Sequence, residues 1–340
     1  MRIAVLGGGS FGTVLAHLVA SRGHDTILWL RDDAQCKVMQ EQHENVKYLP
    51  GFNLHAGLKY STDLEKVLAA ADLVFFSVPS KAVRRVAREA RPFLKEDAWL
   101  VSTTKGIEKD GFKLMSEIIA EETGSSRLGV LSGPNLAREI AAGVLSGTVI
   151  ASREEPLRQA VFKALACARF RVFANSDTYG VELGGALKNI YAIASGMAAT
   201  LSPGENSRSM LLTRSLAEMS RFATKMGANP LTFLGLSGVG DLIATCSSPL
   251  SRNYQVGQAL AKGHSLSEIV EDLEQTAEGI NTIEQVKHKA DALQVYMPIV
   301  QGLYAIVFEQ QPVAEIIAKL MTGGPSEDVE FMLMWGSHAS

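Results

Sequence analysis

Gly180 to Gly196, GVELGGALKNIYAIASG, is the stretch around which the rest of the chain is organised. At the helical period it has one apolar stripe and a second stripe of small residues. The apolar stripe consists of Leu183, Leu187, Ile190 and Ala194, and the small stripe of Val181, Gly184, Gly185, Ala192 and Ser195. A helix that is apolar on both faces belongs in a protein interior, so the pattern predicts a buried helix.

One charged side chain, that of Lys188, projects into the small stripe. Side chains on a helix tilt toward its N-terminus, so the stem of Lys188 is expected to lean over Gly184 and Gly185. Each glycine costs about 1 kcal/mol relative to alanine inside a helix, which implies that something needs the space they leave. We interpret that space as room for a ligand beside an ammonium group. The alternative is a tightly packed helix crossing, with Lys188 extended to water.

The bulk properties are those of a soluble globular protein with two domains. The chain has 340 residues, of which 46% are hydrophobic and 20% charged. A formal charge of −3 argues against a nucleic-acid surface, and no apolar run approaches the roughly 20 residues of a membrane span. Cys36, Cys167 and Cys246 form no CxxC pair, and the histidines lack ligand spacing. Free thiols in a reducing cytoplasm and no metal site are therefore expected.

The N-terminal stretch MRIAVLGGGSFG has the order strand, glycine-rich turn and helix. In its GxGxxG pattern, Gly7 suits a tight turn, Gly9 lets a pyrophosphate approach the backbone, and Gly12 allows close helix packing. The free N–H groups of the following helix would face the phosphates. The pattern predicts a dinucleotide site, with a glycine-rich turn that binds no nucleotide as the alternative.

The end of the second strand bears on the choice of cofactor. This strand, Thr26 to Leu30, is followed by Arg31, Asp32 and Asp33. An acidic residue here would bind the ribose 2′-hydroxyl of NAD, whereas an arginine accommodates the 2′-phosphate of NADP. Because Arg31 comes first, the sequence modestly favours NADP over NAD. A solvated surface arginine is the alternative.

Apolar strands alternate with helices up to about residue 175. After the first two, strands are expected at 71–78, 99–103, 128–132, 148–151 and 170–173. The alternation predicts an α/β, Rossmann-type N-terminal domain with a mostly parallel sheet covered on both faces. Ligands of such sheets bind beyond the carboxyl ends of the strands. Among the polar residues at those ends, Lys105 is the cation placed to meet an anion.

From residue 176 onward the patterns are helical, which predicts an all-α C-terminal domain. We place the dinucleotide-binding domain at 1–178 and the helical substrate and catalytic domain at 179–340. A long helix is expected at 211–226, and another is expected to start at Ser251-Arg252-Asn253, with a guanidinium beside its N-terminus. At least the last few residues of the tail from Gly323 are expected to be disordered.

A dinucleotide site beside several charged side chains suits hydride transfer on a small anionic alcohol. The charged side chains available around the crevice are Lys105, Lys188, Asp241 and Arg252. Oxidation of an alcohol needs a base for the hydroxyl proton while the hydride leaves the carbon. Lys188 qualifies if burial and a nearby cation such as Lys105 lower its pKa, and Asp241 would orient the amine or a substrate hydroxyl.

At these residues the sequence resembles the bacterial NAD(P)-dependent glycerol-3-phosphate dehydrogenase family over nearly its whole length. The motifs are GGGSFGT at 7–13, TTKG at 103–106, LSGPNLAREIAAG at 131–143, GVELGGALKNI at 180–190, LAEMSR at 216–221, GVGDLIATC at 238–246 and SRN at 251–253. The resemblance implies reversible reduction of dihydroxyacetone phosphate to sn-glycerol 3-phosphate, which feeds phospholipid synthesis in the cytoplasm. It also suggests a homodimer.

The resemblance further implies roles for individual residues, with Lys188 as the proton acceptor. The substrate site would be lined by Lys105, Gly133, Asn135, Lys188, Asp241, Ser251, Arg252 and Asn253. Besides the three glycines of GxGxxG, the cofactor would contact Ser10, Phe11, Arg31, Lys105, Ala137, Arg252, Thr276 and Glu278. Asn135 and Thr276 depart from the threonine and the aliphatic residue usual in the family, although each is compatible with a polar or backbone contact.

Two other classes of protein share part of this pattern. Enzymes of the 6-phosphogluconate or 3-hydroxyacid dehydrogenase type also join such a domain to a helical one. The SRN and GVGD stretches are not expected in them. A non-catalytic NADP-sensing protein would keep GxGxxG and have no use for Lys188 in a buried stripe of small residues.

Overall fold

The computed structural model describes residues 1–109, 111–201, 204–272 and 278–322. Its strands are β1 (Arg2–Leu6), β2 (Asp25–Trp29), β3 (Lys59–Ser61), β4 (Leu73–Phe76), β5 (Trp99–Ser102), β6 (Leu128–Ser132), β7 (Ser146–Ala151) and β8 (Phe170–Asn175). They form one sheet in the order β3-β2-β1-β4-β5-β6-β7-β8. All neighbouring strands are parallel except β6 and β7. The expected mostly parallel sheet is confirmed.

Helices cover both faces of this sheet. They are α1 (Ser10–Ser21), α2 (Asp33–Gln42), α3 (Leu64–Leu68), α4 (Ser80–Ala90), α5 (Met115–Thr123), α6 (Ala137–Ala141) and α7 (Glu155–Leu165). Because successive side chains of a strand point to opposite faces, β1 contributes to two cores. Ile3 and Val5 pack in the core with α1, α6 and α7, whereas Ala4 and Leu6 pack in the core with α3, α4 and α5.

Beyond β8, the described residues form helices and turns without a strand. The helices are α8 (Thr178–Thr200), α9 (Glu205–Lys225), α10 (Asp241–Ser247), α11 (Arg252–Ala261), α12 (Leu266–Asp272), α13 (Glu278–Leu293), α14 (Pro298–Phe308) and α15 (Val313–Met321). A π-helical turn at Leu236–Gly240 leads into α10. No helix within the described ranges is long and apolar enough to cross a membrane. The expected all-α second half is confirmed for these residues.

Element boundaries agree with the sequence patterns to different degrees. α11 begins at Arg252 as predicted, with the Ser251 hydroxyl accepting from Tyr254 N at 3.4 Å. α9 begins at Glu205, earlier than expected, and the three-residue strand β3 was not predicted. α8 begins at Thr178, and the domain division at 178/179 stays a prediction. Thr276 and the tail from Gly323 lie outside the described residues.

The stretch that begins at Gly180 forms most of α8, and every residue from Gly180 to Ala194 is buried. The predicted buried helix is confirmed. Near its C-terminal end α8 crosses α11 at backbone contact. A Cβ atom at Gly196 would overlap the carbonyl oxygen of Tyr254, and one at Gly257 would overlap that of Ile193. Each helix thus supplies a glycine where the other helix presents a carbonyl group.

The interpretation of a ligand space over Gly184 and Gly185 was wrong, because protein atoms fill that space. A Cβ at Gly184 would lie 3.0 Å from the backbone oxygen of Ser237 in the π-helical turn. A Cβ at Gly185 would lie 2.5 Å from the Ser132 hydroxyl and 3.6 Å from the side chain of Lys105. The two glycines therefore let α8 approach β6 and the segment that precedes α10.

Candidate active site

Three of the four charged residues predicted around the crevice, Lys105, Lys188 and Asp241, meet where the carboxyl ends of β5 and β6 approach α8 and α10. Lys105 and Gly133 follow these two strands, Lys188 lies in the middle of α8, and Asp241 is the first residue of α10. Gly133 has a φ of +143°, a conformation that favours glycine, and its carbonyl oxygen accepts from Lys105 Nζ at 3.0 Å. The backbone after β6 thus helps to aim Lys105 at the helices.

Asp241 lies between the two lysines. Its Oδ1 is 3.0 Å from Lys188 Nζ, and its Oδ2 accepts from Lys105 Nζ. Asp241 is 1% exposed and Lys188 6% exposed, so the alternative in which Lys188 extends to water is also wrong. Thr245, one turn further along α10, accepts a hydrogen bond from Lys188 Nζ and donates one to Asp241 Oδ1 at 3.1 Å. The cluster carries two ammonium groups for one carboxylate.

Burial and the excess of positive charge both affect Lys105. Loss of hydration and, to a smaller extent, repulsion by Lys188 lower the pKa of Lys105 to about 8, although the attraction of Asp241 opposes the decrease. A lysine with a pKa in this range can change its protonation state near neutral pH. The effect of a neighbouring cation, which was predicted for Lys188, is therefore found at Lys105.

The glycine-rich turn after β1 fits the binding of a dinucleotide pyrophosphate. Gly7 has a φ of +122°, and a Cβ there would lie 2.5 Å from the backbone oxygen of Ser77, the residue that follows β4. A Cβ at Gly12 would overlap the carbonyl oxygen of Gly7, whereas a Cβ at Gly9 would find no atom within 4 Å. α1 has no side-chain cap and no acidic residue in its first turn. Its N-terminal amides and dipole are thus available to an anion beside Gly9.

Ser10 and Phe11, both predicted to contact the cofactor, also have roles within the protein. The Ser10 hydroxyl donates to the backbone oxygen of Tyr48 at 2.7 Å. Phe11 is half-buried and packs against the core between α1 and the sheet. Ala137 begins α6, which contacts α1. A contact from Ser10 to a phosphate would therefore come most directly from its backbone N–H.

The acidic residues that follow Arg31 are used for structure. Asp32 caps α2 by accepting from Ala34 N at 2.9 Å and Gln35 N at 3.1 Å. Asp33 accepts from the Thr62 hydroxyl at 2.6 Å. Arg31 is exposed, and within the described part of the chain no carboxylate forms a salt bridge with it. This arrangement leaves the guanidinium available at the end of β2.

The start of α11 faces the first turn of α13. Asn253 is 8% exposed, and its Oδ1 accepts from Gly279 N at 3.0 Å. Glu278 accepts from Ser80 N at 3.2 Å and from the Ser80 hydroxyl, at the N-terminus of α4. Burial raises the pKa of Glu278, while Ser80 and the nearby Arg252 oppose the increase. Glu278 thus joins the helical half to the sheet half beside Arg252.

Asn135 lies near the Lys105 cluster without joining it. Its Nδ2 donates to the Thr148 hydroxyl at 2.9 Å, and Thr148 donates to the backbone oxygen of Ser132 at 3.1 Å. The buried Oδ1 of Asn135 and the buried hydroxyl of Ser132 have no hydrogen-bond partner among the described residues. Two buried oxygens near Gly133 thus have unused hydrogen-bonding capacity.

Sequence reasoning placed Ser80 and Ser132 in the polar stretches at the strand ends and Thr245 on the helix that Asp241 opens, but assigned none of them a role in the site. Thr245 follows Asp241 by four residues, a spacing that places two side chains on one face of a helix. This spacing is a signal that could have identified Thr245. Ser80 and Ser132 act through contacts with distant parts of the chain, which local spacing does not reveal.

The chain matches two family models over most of its length. The model of the NAD-dependent glycerol-3-phosphate dehydrogenase N-terminus matches residues 2–157, and that of the C-terminus matches residues 177–318. The glycerol-3-phosphate dehydrogenase (NAD(P)+) of Alcanivorax borkumensis is 56% identical over 97% of this chain and 96% of its own length. The enzyme of that name from Pseudomonas aeruginosa is 55% identical over 97% of both chains.

Solved structures agree with these matches. The structure of glycerol-3-phosphate dehydrogenase from Coxiella burnetii is 34% identical and covers 95% of this chain and 99% of its own, with a TM-score of 0.90. A ketopantoate reductase from Ralstonia eutropha is 18% identical with a TM-score of 0.59, a likeness of fold alone. The chain therefore belongs to the NAD(P)-dependent glycerol-3-phosphate dehydrogenase family.

Proposed function

We propose that Lys188 transfers the proton in the reaction of this chain, the reversible NAD(P)H-dependent reduction of dihydroxyacetone phosphate to sn-glycerol 3-phosphate. The reaction is supported by relatives named glycerol-3-phosphate dehydrogenase (NAD(P)+), which are at least 55% identical to this chain over nearly its whole length. The observation that supports the role of Lys188 is its burial against Asp241 and Thr245, beyond the carboxyl ends of the strands.

Reduction of the ketone adds a hydride to carbon and a proton to oxygen. The bound nicotinamide supplies the hydride. Lys188 Nζ donates the proton to the carbonyl oxygen and, in the reverse direction, accepts the hydroxyl proton. Asp241 holds Lys188 Nζ at 3.0 Å, and Thr245 accepts a second hydrogen bond from it. These two contacts limit the positions that the ammonium group can take.

The N-terminus of α11 is the proposed place for the substrate phosphate. α11 offers backbone N–H groups and the positive end of its dipole, with Arg252 as its first residue. Lys105, on the other side of Asp241, adds positive charge toward the substrate. Gly133, Asn135, Ser251 and Asn253 would complete the substrate site. Asn253 does so through its backbone or by holding α13, since its side-chain oxygen is used by Gly279.

Arg252→Lys tests this placement. Lysine keeps the charge but loses the planar fork of donors that matches a phosphate. The KM for dihydroxyacetone phosphate is expected to rise about tenfold, with kcat at saturation changed much less. Glycerol, which lacks the phosphate, should be an equally poor substrate for both forms. A KM equal to that of the wild type in the lysine variant would place the phosphate elsewhere.

NADPH is the proposed preferred cofactor, with Arg31 at its 2′-phosphate. The glycine-rich turn and further residues would hold the rest of the cofactor; these residues are Ser10, Phe11, Lys105, Ala137, Arg252, Thr276 and Glu278. Support comes from the position of Arg31 at the end of β2, where Asp32 is withdrawn as the cap of α2. Arg31→Ala should lower kcat/KM for NADPH about tenfold or more and leave that for NADH nearly unchanged. Equal losses for the two cofactors would contradict the assignment.

The remaining expectations concern organisation. We infer that residues 1–178 form the dinucleotide-binding domain and residues 179–340 the substrate and catalytic domain. We also infer a cytoplasmic homodimer. The start of α8 at Thr178 supports the division, and the resemblance to the family supports the dimer and the location. Sedimentation of the purified chain at several concentrations tests the dimer, and a monomer at all of them would contradict it.

A further inference from the structure

The glycine-rich turn is held by a residue that lies outside it, Asn45. This residue follows α2 and is 1% exposed. Its Nδ2 donates to Gly8 O at 2.9 Å and to the Thr13 hydroxyl at 2.7 Å. Its Oδ1 accepts from Gln35 Nε2 and from Tyr48 N, both at 3.2 Å. Since an amide side chain has two donors and two lone pairs, these four bonds leave it one orientation.

The contact with Gly8 determines the direction of the next peptide group. Gly8 O also accepts from Gln35 Nε2 at 3.0 Å, so two side-chain amides hold this carbonyl. In a trans peptide, the C=O of one residue and the N–H of the next point in opposite directions. The Gly9 N–H therefore points away from Asn45 and Gln35. Beside Gly9 the molecule is open, since a Cβ there would find no atom within 4 Å.

A second bond ties the same segment to the start of α1. The Ser10 hydroxyl donates to Tyr48 O at 2.7 Å, and Leu49 N donates to Asn45 O at 2.8 Å within a tight turn. The turn at 45–49 thus contacts the glycine-rich turn at Gly8 and at Ser10. The N-cap residue of α1 is Gly9, which has no side chain to cap the helix. The first amides of α1 stay available.

We propose that Asn45 is a positioning residue for the pyrophosphate of the cofactor. It holds the Gly8 carbonyl so that the Gly9 amide and the N-terminus of α1 are presented to the phosphates before the cofactor binds. This proposal rests on the proposed function, which places the pyrophosphate at this turn. Asn45 itself does not touch the phosphates, and its effect on them passes through the Gly8–Gly9 peptide group.

Asn45→Ala tests the proposal, because it removes both donors of Nδ2. The Kd for NADPH, measured by fluorescence titration of the enzyme without substrate, is expected to rise about tenfold. The Kd for 2′-AMP, which carries the 2′-phosphate and the adenine but no pyrophosphate, should change less than about twofold. The KM for dihydroxyacetone phosphate at saturating NADPH should also be unchanged.

Thr13→Val is the matched control. It removes the other acceptor of Asn45 Nδ2, keeps the shape of the side chain, and leaves the bond to Gly8 in place. We expect a lower thermal midpoint with NADPH affinity close to that of the wild type. Two results would show that the role is structural and overturn the proposal. One is a loss of NADPH affinity in Thr13→Val as large as that in Asn45→Ala, and the other is an equal loss of 2′-AMP and NADPH affinity in Asn45→Ala.

Two further variants keep the result decisive. If Asn45→Ala does not fold, Gln35→Ala provides the test, because it removes the second donor to the Gly8 carbonyl. The Kd for NADPH should then rise about threefold, and the Kd for 2′-AMP should not change. Gly9→Ala tests the underlying function by placing a methyl group in the open space, and it should weaken NADPH strongly. Normal binding in Gly9→Ala would contradict the proposed phosphate site. Weak binding in Gly9→Ala with normal binding in Asn45→Ala would overturn this inference alone.

Discussion

Buried carboxylates are balanced in two different ways in this molecule. At the candidate active site, Asp241 lies between the ammonium groups of Lys105 and Lys188. In the helical half, the equally buried Glu218 accepts from Ile299 N at 2.7 Å and Val300 N at 3.4 Å, at the N-terminus of α14, and from the Tyr191 hydroxyl at 3.3 Å. Asp241 is balanced by two ammonium groups, whereas Glu218 is balanced mainly by backbone dipoles, with the charge of Arg221 as a smaller contribution.

Glu182 on α8 repeats the second arrangement. It accepts from Ser116 N at 2.9 Å and from the Ser116 hydroxyl, at the N-terminus of α5. Burial raises the pKa of both Glu182 and Glu218 to about 7, although the donors oppose the increase. At Asp241, by contrast, two ammonium groups take this role, and burial of Lys105 lowers its pKa to about 8, although Asp241 opposes the decrease. The dipole-capped carboxylates thus form joints whose protonation depends on pH, whereas the ion-paired carboxylate belongs to the proposed proton-transfer site.

Removing one ammonium group from the paired carboxylate should have the largest effect. Lys188→Met keeps much of the length of the side chain but loses the proton and the charge. Because general acid–base catalysis contributes about 100- to 10,000-fold, kcat should fall at least about 100-fold. NADPH affinity, measured by fluorescence, should be close to that of the wild type. Lys113→Met, at an exposed lysine paired with Glu121, is the control and should keep its activity.

Near-normal turnover in a folded Lys188→Met protein would remove this residue from the mechanism. It would also end the distinction between the two kinds of carboxylate, since Asp241 would then have a structural role like that of Glu218.

Glu218→Gln tests the carboxylate that dipoles balance. Burial raises the pKa of Glu218 to about 7 in the folded protein, so that it takes up a proton as the pH falls through that value, whereas in the unfolded chain it does so near its ordinary pKa of 4.5. Burial therefore costs stability above pH 7, and the cost is relieved as the pH falls from 7 toward 4.5, by up to about 3 kcal/mol. Urea unfolding at pH 5 and pH 8 should show this dependence in the wild type and less of it in Glu218→Gln.

The control for this measurement is Glu205→Gln, in which the original side chain is 85% exposed. It should retain the dependence of stability on pH seen in the wild type. The same dependence in Glu218→Gln as in the wild type would show that the carboxylate stays ionised across this range.

The pH profile of Lys105 should show a smaller effect. Because the pKa of Lys105 is lowered to about 8, its positive charge is lost above that pH. We expect kcat/KM for dihydroxyacetone phosphate to fall above about pH 8, since this value reports groups of the free enzyme. Lys105→Arg, which stays charged, should move the fall to higher pH. An unchanged alkaline limb in the arginine variant would assign the fall to another group.

Local patterns in the sequence were sufficient for the frame of the molecule. The buried α8, the alternation that leads to the sheet and the start of α11 all follow from periodicity within short windows. The antiparallel pairing of β6 with β7 and the short strand β3 did not follow, because pairing depends on partners far along the chain. The placement of helices relative to the sheet was predicted only in outline.

Within the site, residue types were easier to predict than contacts. Lys105, Lys188 and Asp241 were recognised as charges in a crevice, and the structure brings them together. The role of Gly184 and Gly185 was misinterpreted as room for a ligand. Glycines in a helix indicate that space is needed beside the backbone, but they do not indicate whether a ligand or other protein atoms occupy it. The contact of Asn45 with Gly8 had no local signal, since the two residues are 37 positions apart in sequence.

The crossing of α8 and α11 has a consequence for the substrate. α8 carries Lys188 and α11 begins with Arg252, and the two helices touch through main-chain atoms at Gly196 and Gly257. With Lys188 at the reacting oxygen and Arg252 at the phosphate, as proposed, the spacing of these two groups depends on main-chain contacts and not on side-chain packing. A side chain added at Gly196 or Gly257 would therefore be expected to alter the fit of the substrate without touching it.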